Sequence, residues 1–383
     1  MKVLFVSNDP NIFIEGSSVR ARMLAYAEAI GTLHIVGRGP RTETSTVGSL
    51  TTHSISVHKL FATSILPKKI NALILQEEIE VVSAQDPFEY GLIAQKAVVG
   101  TSAKFHVQVH TDVFSPWFTA GPSRFAPYAV MPALNRVRQN IADQTLPKAD
   151  GIRVVSERIK ISLMERYGNR IVEPVVIPIA PPGELPPAVE LPDHGFTFSL
   201  IAVGRLEPEK RFEDLFTAFM YVKDRYPTIG IYVVGEGRER ARLEKIVRTL
   251  TIEDRVVFLG ERTDAWGLMR SANVFVQTSA YEGYGRTIIE AALARIPIIT
   301  TDVGIVGEVF KGYEDVLSTP PADPSGFSFN IVRVLESFED RLALIDHAEV
   351  SVRAHLASVS AGPADIAADL ARLLTTPTIM PTS

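Results

Sequence analysis

Short apolar runs recur along the chain, each halting at polar residues and giving way to a helical repeat. The first is Val3-Leu4-Phe5-Val6, which stops at a polar loop over 7–18 before apolar positions return at helical spacing near 19–30. Runs without polar alternation suit strands buried on both faces, because helices packed on either side of a sheet leave it no solvent face. Comparable runs stand at 34–36, 80–83, 105–109 and 151–155. The last precedes a helix that starts after Ser156, whose hydroxyl can cap free amides, and that reaches about Tyr167. Alternating strands and helices predict a parallel sheet with helices on both faces.

Over 174–195 the pattern breaks: Pro174, Pro178, Pro181, Pro182, Pro186, Pro187 and Pro192, with Gly183 and Gly195, leave neither period intact. Such a stretch reads as a linker. Strand-like runs then resume at 198–203, 229–234, 256–258 and 274–276, with helices expected over 211–225 and 238–250. The fold class expected is α/β, two doubly wound Rossmann-like domains facing across a cleft. The boundaries read as a first domain over 1–177, a linker over 178–195, a second domain over 196–350 and a helical segment over 351–383. In that last segment Ile366, Leu370, Leu373 and Leu374 fall at helical spacing and suit packing on either domain. Ligands of doubly wound sheets bind outside the carboxyl ends of the strands, so loops that follow strands are where chemistry is sought.

Composition narrows the choice. The chain's 383 residues are enough for two domains, and 46% hydrophobic with 22% charged residues is ordinary for a globular protein. With Lys+Arg 39 against Asp+Glu 44 the net charge is -5, which argues against nucleic acid as a partner. Cysteine is absent, which excludes disulfides, thiolate metal sites and a cysteine nucleophile and fits a reducing compartment. The apolar stretch at 3–7 is too short for a signal-peptide core, and no apolar run approaches membrane-spanning length. The expectation is a cytoplasmic protein whose membrane contact, if it has one, is peripheral at the inner face.

The most informative segment is Tyr281-Glu282-Gly283-Tyr284-Gly285-Arg286-Thr287-Ile288-Ile289-Glu290. Glu282 falls in a Gly-rich loop after a strand, and Glu290 falls inside a helix beginning at about Gly285. Amides over 283–287 then form an open helix N-terminus that favours an anion such as phosphate. Glu290, among Ile288, Ile289, Ala291 and Ala292, needs a donor that a ribose diol supplies. Two plainer readings stand beside these: Glu290 pairs with Arg286 one turn away, and Glu282 is a solvated loop acid.

Gly204-Arg205-Leu206-Glu207-Pro208-Glu209-Lys210-Arg211 follows the first strand of the second domain. Arg205 and Lys210 offer a planar fork and a point charge suited to a diphosphate, unless Glu207 and Glu209 merely balance them on a surface loop. Gly235-Glu236-Gly237 reads as a tight strand-to-helix turn. Gly16 and Ser17 open a helix where backbone amides can approach an acceptor or a phosphate, or serve the turn alone. His110 ends the strand at 105–109 and belongs in a cleft, whereas His106 within that strand reads as structural. No metal-ligand spacing appears, so no metal is expected.

These motifs, in this order, resemble the family 4 retaining glycosyltransferases, nucleotide-sugar enzymes of the GT-B fold. The resemblance also takes in Ala149-Asp150-Gly151 to Ser156-Glu157, and Thr301-Asp302-Val303-Gly304 leading to Glu308. It implies that Arg205 and Lys210 hold the donor diphosphate, Glu290 the ribose hydroxyls, and Glu282 the hydroxyls of the donor sugar. Amides of Gly283, Tyr284, Gly285, Arg286 and Thr287 would meet sugar and phosphate, and His110 would reach the donor sugar from the opposite domain. It further implies that the first domain binds the acceptor and that the last helix crosses back to it. Three departures stand out: Tyr284 replaces the usual phenylalanine, Ile177-Pro178-Ile179 lacks the usual Asn-Gly after Ile-Pro, and Ser17 replaces a second glycine.

The activity implied is retaining transfer of a sugar from a UDP- or GDP-sugar to an acceptor hydroxyl, with no cofactor. A front-face route, in which the leaving phosphate oxygen helps take the acceptor proton, needs no protein nucleophile. The alternatives are a sugar-nucleotide epimerase or phosphorylase on the same architecture, and a degenerate nucleotide-sugar-binding protein without turnover. For the acceptor, a glycan or lipid-linked sugar, there is one signal. Residues 121–160 carry Arg124, Arg136, Arg138, Lys148, Arg153, Arg158 and Lys160 behind Phe114, Trp117 and Phe118, which reads as an anionic lipid-facing surface or a solvated helix face.

Overall fold

The computed structural model describes residues 1–119, 132–179, 183–359 and 361–375. The chain divides into two compact domains. The first domain is built from Met1–Phe114, Ala133–Pro178 and the described residues after 360; the second holds 115–119 and, beyond the first domain's last strand, the described residues from 179 to 359.

In the first domain the strands are β1 (Lys2–Ser7), β2 (Thr32–Arg38), β3 (Glu43–Val47), β4 (Leu50–Ile55), β5 (Val81–Ala84), β6 (Lys104–Val109), β7 (Gly151–Val154) and β8 (Val175–Val176). They form one sheet in the order β3-β4-β2-β1-β5-β6-β7-β8. Pairing is parallel throughout except at β3, which returns antiparallel on β4. That hairpin was not foreseen. Its Thr- and Ser-rich strands hold no apolar run, and β3 is an exposed edge joined to β4 through Gly48 at φ 58°, a left-handed turn position. The helices are α1 (Ser18–Ile30), α2 (Ala62–Glu77), α3 (Glu89–Ala97), α4 (Pro132–Thr145) and α5 (Glu157–Tyr167).

The second domain follows the same rule with β9 (Phe198–Val203), β10 (Ile229–Val234), β11 (Val256–Gly260), β12 (Val274–Gln277), β13 (Ile298–Thr301) and β14 (Leu317–Thr319). All six are parallel, in the order β11-β10-β9-β12-β13-β14. Its helices are α6 (Phe212–Met220), α7 (Arg240–Thr249), α8 (Ala265–Met269), α9 (Arg286–Leu293), α10 (Pro324–Glu336) and α11 (Phe338–Ser358). Leu200, Ile231 and Val276 from the strands pack with Leu215, Phe216 and Phe219 of α6, all essentially without solvent exposure. Burial of that kind is worth about 1.5–3 kcal/mol per side chain.

Two segments depart from the boundaries drawn from sequence. Residues 183–195 of the proline-rich stretch are laid along the second domain, with Tyr232 donating to the Pro192 carbonyl at 2.5 Å, Val189 N–H to the Gly267 carbonyl at 3.0 Å and Arg270 to the Pro186 carbonyl at 2.6 Å. The stretch after 350 is not one piece: α11 stays with the second domain, while the last helix, α12 (Pro363–Thr375), belongs to the first. Ile366, Leu370 and Leu373 of α12 join the core built by β1, α1 and β2. Close approach is possible because residue 151 is a glycine; a Cβ there would lie 2.7 Å from a Leu373 methyl and 3.0 Å from the His106 ring.

Candidate functional site

The strand order of the second sheet fixes where a site can form. From β9 the chain steps outward through β10 to β11, and from β12 it steps the opposite way through β13 to β14. Loops leaving β9 and β12 at their carboxyl ends therefore diverge and open a crevice between two adjacent strands. Those loops are 204–211 and 278–285, the two segments singled out by the cationic and glutamate motifs.

The structure brings Lys210 and Glu282 together as an ion pair, with both side chains mostly buried at 17% and 14% exposure. Backbone ties set this meeting. Ala280 N–H donates to the Glu209 carbonyl at 2.7 Å, and the Thr278 hydroxyl donates to the Lys210 carbonyl at 2.9 Å. Ser279 gives Glu282 Oε1 a second hydrogen bond at 2.8 Å, while Thr301 holds the Ser279 carbonyl at 2.6 Å. Thr278 and Ser279 were not singled out from sequence; Thr278 acts across to the 204–211 loop, and Ser279 acts within its own loop. Gly304, at φ 60°, fits under the loop because a Cβ would stand 2.5 Å from the Tyr284 carbonyl and 3.1 Å from Glu282 Cβ.

Beneath the first loop lies Gly235-Glu236-Gly237. A Cβ on Gly235 would come 2.0 Å from the Gly204 carbonyl, and one on Gly237 would come 2.4 Å from the Leu206 carbonyl. These glycines let the β10 turn support the Gly204-Arg205 loop, which matches the turn expected there. Arg205 itself is 76% exposed and meets Glu209 at 3.4 Å, a weak surface pair. Arg211 gives its guanidinium to Asp214 through bonds of 2.6 and 3.0 Å, so Lys210 is the inward cation of this loop.

Helix α9 starts at Arg286 with Gly285 as its N-cap at φ 92°. Thr287 does not point its hydroxyl outward; it donates to Gln277 Oε1 at 2.8 Å, leaving Gln277 Nε2 buried without a hydrogen-bond partner. Glu290 accepts from Arg286 Nε at 2.9 Å, so the i,i+4 contact weighed from sequence is formed. Burial pushes the Glu290 carboxyl above its ordinary value despite the pull of Arg286. A carboxyl so placed keeps capacity for hydroxyl donors. Tyr284 is buried, and its phenol meets His355 Nε2 of α11 at 2.8 Å. Burial raises the phenol's pKa and lowers that of the imidazole, which disfavours charge on either ring. The added hydroxyl anchors the loop to α11.

Three predicted site residues lie in the first domain. Ser17 caps α1, accepting from Arg20 N–H at 3.0 Å and donating to the Asn11 carbonyl at 2.6 Å; Gly16, at φ 76°, has open space where a Cβ would be. His110 follows β6 and meets Gln108 Oε1 through Nε2 at 3.2 Å. Burial, then Arg153 and Arg22, push its pKa down to about 3, so the imidazole is neutral.

The basic stretch over 121–160 does not form one solvated face. Arg153 is buried in β7, Arg138 pairs with Glu89 and Lys160 with Glu173, while Arg124 lies outside the described residues. Among the described residues no helix is long and apolar enough to cross a membrane.

Residues 195–350 match the family model for glycosyl transferases group 1. A glycogen synthase of Mycobacterium tuberculosis is 27% identical over 207 residues, 53% of this chain and 50% of that protein. The chain spans half or less of the length of the curated relatives it matches. Among solved structures, a sucrose-phosphate synthase from Thermosynechococcus elongatus superposes with a TM-score of 0.77 at 19% identity, covering 98% of each chain. HepE of Anabaena in complex with UDP-glucose gives 0.71 at 17% identity, covering 98% of this chain and 99% of that one. The likeness shows the fold, two Rossmann-like α/β domains of the GT-B kind.

Proposed function

We propose that this protein is a retaining glycosyltransferase that moves a sugar from a nucleoside diphosphate sugar, UDP- or GDP-linked, to an acceptor hydroxyl of a glycan, lipid-linked or small-molecule substrate. One observation carries the reading: Lys210 and Glu282 meet in the crevice between β9 and β12 within the segment that matches glycosyl transferases group 1. Homologues named as glycosyltransferases and a fold neighbour solved with UDP-glucose support it.

In this reading Lys210, with Arg205 at the rim, stabilises charge that rises on the diphosphate as its bond to the sugar stretches, and the amides of Gly285, Arg286 and Thr287 add donors at the start of α9. Glu282, already oriented by Ser279, accepts from donor-sugar hydroxyls together with the amides of Gly283 and Tyr284. Glu290 takes the ribose diol. The leaving phosphate oxygen takes the acceptor proton on the same face, so Glu282 is not assigned as a nucleophile. Gly16 and Ser17 are assigned to the acceptor side and His110 to the donor sugar on the resemblance alone. Donor phosphates are held by protein cations, and no metal is assigned.

Calorimetry with UDP, GDP and ADP, each with and without EDTA, tests the proposal. Chelator-insensitive binding of one nucleotide, followed by transfer from its sugar conjugate with the anomeric configuration kept, is the expected result. Failure of all three to bind removes the donor site and with it the reading.

A further inference from the structure

His106, Gln108 and His110 are alternate residues along β6 and its extension, and the side chains of this row are hydrogen-bonded in series. Gln108 is 2% exposed and its amide orientation is determined by its neighbours. Arg153 Nη1 lies 2.7 Å from one amide atom of Gln108, and a guanidinium can only donate, so that atom is the carbonyl oxygen Oε1. The Gln108 amide nitrogen accordingly donates to Ser83 Oγ at 3.1 Å. Ser83 is then free to donate to His106 Nδ1 at 2.8 Å, and His106 Nε2 meets Asp369 of α12 at 3.1 Å. Each donor in this buried row finds one acceptor.

His110 Nε2 faces the same Gln108 oxygen at 3.2 Å. An acceptor there requires the proton to sit on Nε2. Arg153 cannot turn away from Gln108 to relax this arrangement, because its Nε donates to the Ile177 carbonyl at 3.0 Å and its Nη2 to the Pro178 carbonyl at 3.1 Å. Among the described residues no group hydrogen-bonds to His110 Nδ1.

We propose that Gln108 is a positioning residue: it fixes the His110 imidazole as the neutral tautomer protonated on Nε2, so that Nδ1 is presented as a hydrogen-bond acceptor for a ligand hydroxyl and not as a proton donor. The proton on Nε2 follows from the hydrogen-bond row and the lack of a second proton from burial and two nearby arginines, whereas the hydroxyl ligand rests on the sugar-transfer reading. Arg153 from β7 and Arg22 from α1 are the charged groups that act on the ring, and both oppose a second proton. His110 therefore cannot serve as a general acid at neutral pH.

The test is a two-bond proton–nitrogen correlation of histidine side chains on the full-length 15N-labelled protein, with His110→Gln identifying the signal. Between about pH 6 and 8 the wild type should give the pattern of one neutral tautomer with the proton on Nε2. Gln108→Glu, which keeps an acceptor for both Arg153 and His110, should keep the proton on Nε2, and Gln108→Leu should mix both tautomers. An imidazolium or an Nδ1–H pattern in the wild type overturns the proposal, as does an unchanged pattern in Gln108→Leu. Adding UDP-, GDP- and ADP-glucose in turn separates the two halves. A sugar nucleotide that binds by calorimetry and shifts Nδ1 supports the ligand role, and one that binds without shifting it refutes that role. If none binds, the functional reading fails and takes the ligand role with it, while the tautomer is still decided by the wild-type spectrum.

Discussion

Replacing Lys210 with alanine probes the center of the functional reading. The Lys210 ammonium is 17% exposed, and its carboxylate partner Glu282 is equally withdrawn at 14%, so neither charge is strongly screened by solvent. A charge-assisted hydrogen bond of this kind to a diphosphate contributes about 1.5–3 kcal/mol, which predicts roughly 10- to 150-fold weaker nucleotide binding in Lys210→Ala. If the same ammonium meets charge that grows in the transition state, the loss in turnover is about 2.7–4 kcal/mol, on the order of 100- to 1,000-fold. Glu282 keeps its bond from Ser279, so the cost in stability should stay below the ~3–5 kcal/mol of orphaning a fully buried partner. Calorimetry gives the first number, initial transfer rates the second, and thermal unfolding confirms that the variant is folded. A folded Lys210→Ala that binds within about twofold of wild type and transfers at an unchanged rate would refute the assignment.

Other substitutions separate chemistry from scaffold. Glu290→Ala should weaken nucleotide affinity roughly 10- to 150-fold as well as turnover, since a hydrogen bond to a charged group is worth about 1.5–3 kcal/mol; normal affinity with a lowered melting temperature would leave only the helix pair with Arg286. Gly235→Ala forces a Cβ to within 2.0 Å of the Gly204 carbonyl at φ 137°, so a loss of about 3 kcal/mol in urea unfolding is expected, and an unchanged midpoint would contradict the close packing. Burial raises the Asp369 carboxyl, but hydrogen bonds from His106 and Arg372 and the charge of Arg372 outweigh it and hold the group below its ordinary value. Its contribution to stability is therefore fully present above the unfolded carboxylate value, about 3.9, and is lost as pH falls through the lowered folded value. Asp369→Asn should flatten the acid side of a stability-versus-pH series, and an equally steep fall would show that another group carries the slope.

Strands covered on both faces were legible because continuous apolar runs have few other uses. The β3–β4 hairpin was not, since its residues 43–47 are all exposed and its stability comes from pairing and a left-handed glycine turn. Proline content marked a break in secondary structure over 183–195, yet it carried no information about what that coil touches, and Tyr232 and Arg270 bind it to the second domain. The helical spacing of Leu370 and Leu373 announced an amphipathic helix without saying which core would receive it. At the site, the separation of Glu282 from Glu290 could be read along one loop and helix. The meeting of Lys210 with Glu282 could not, because 72 residues separate them and only the adjacency of β9 and β12 joins them.

That adjacency also bears on selectivity for a nucleotide sugar over a simple anion. Each candidate donor-site cation is matched by a carboxylate: Lys210 by Glu282, Arg205 by Glu209 and Arg286 by Glu290. Inorganic phosphate entering the crevice must draw Lys210 from Glu282 and leaves that carboxylate with Ser279 as its donor. In the proposed reading a nucleotide sugar brings a diphosphate for the lysine and hydroxyls for the glutamates in one molecule, so the carboxylates that lose cationic partners gain donors in return. Binding energy then depends on the two halves arriving together. Phosphate and free sugar should each bind weakly even at high concentration, and their sum should fall well short of the intact donor, because neither alone compensates the groups it displaces.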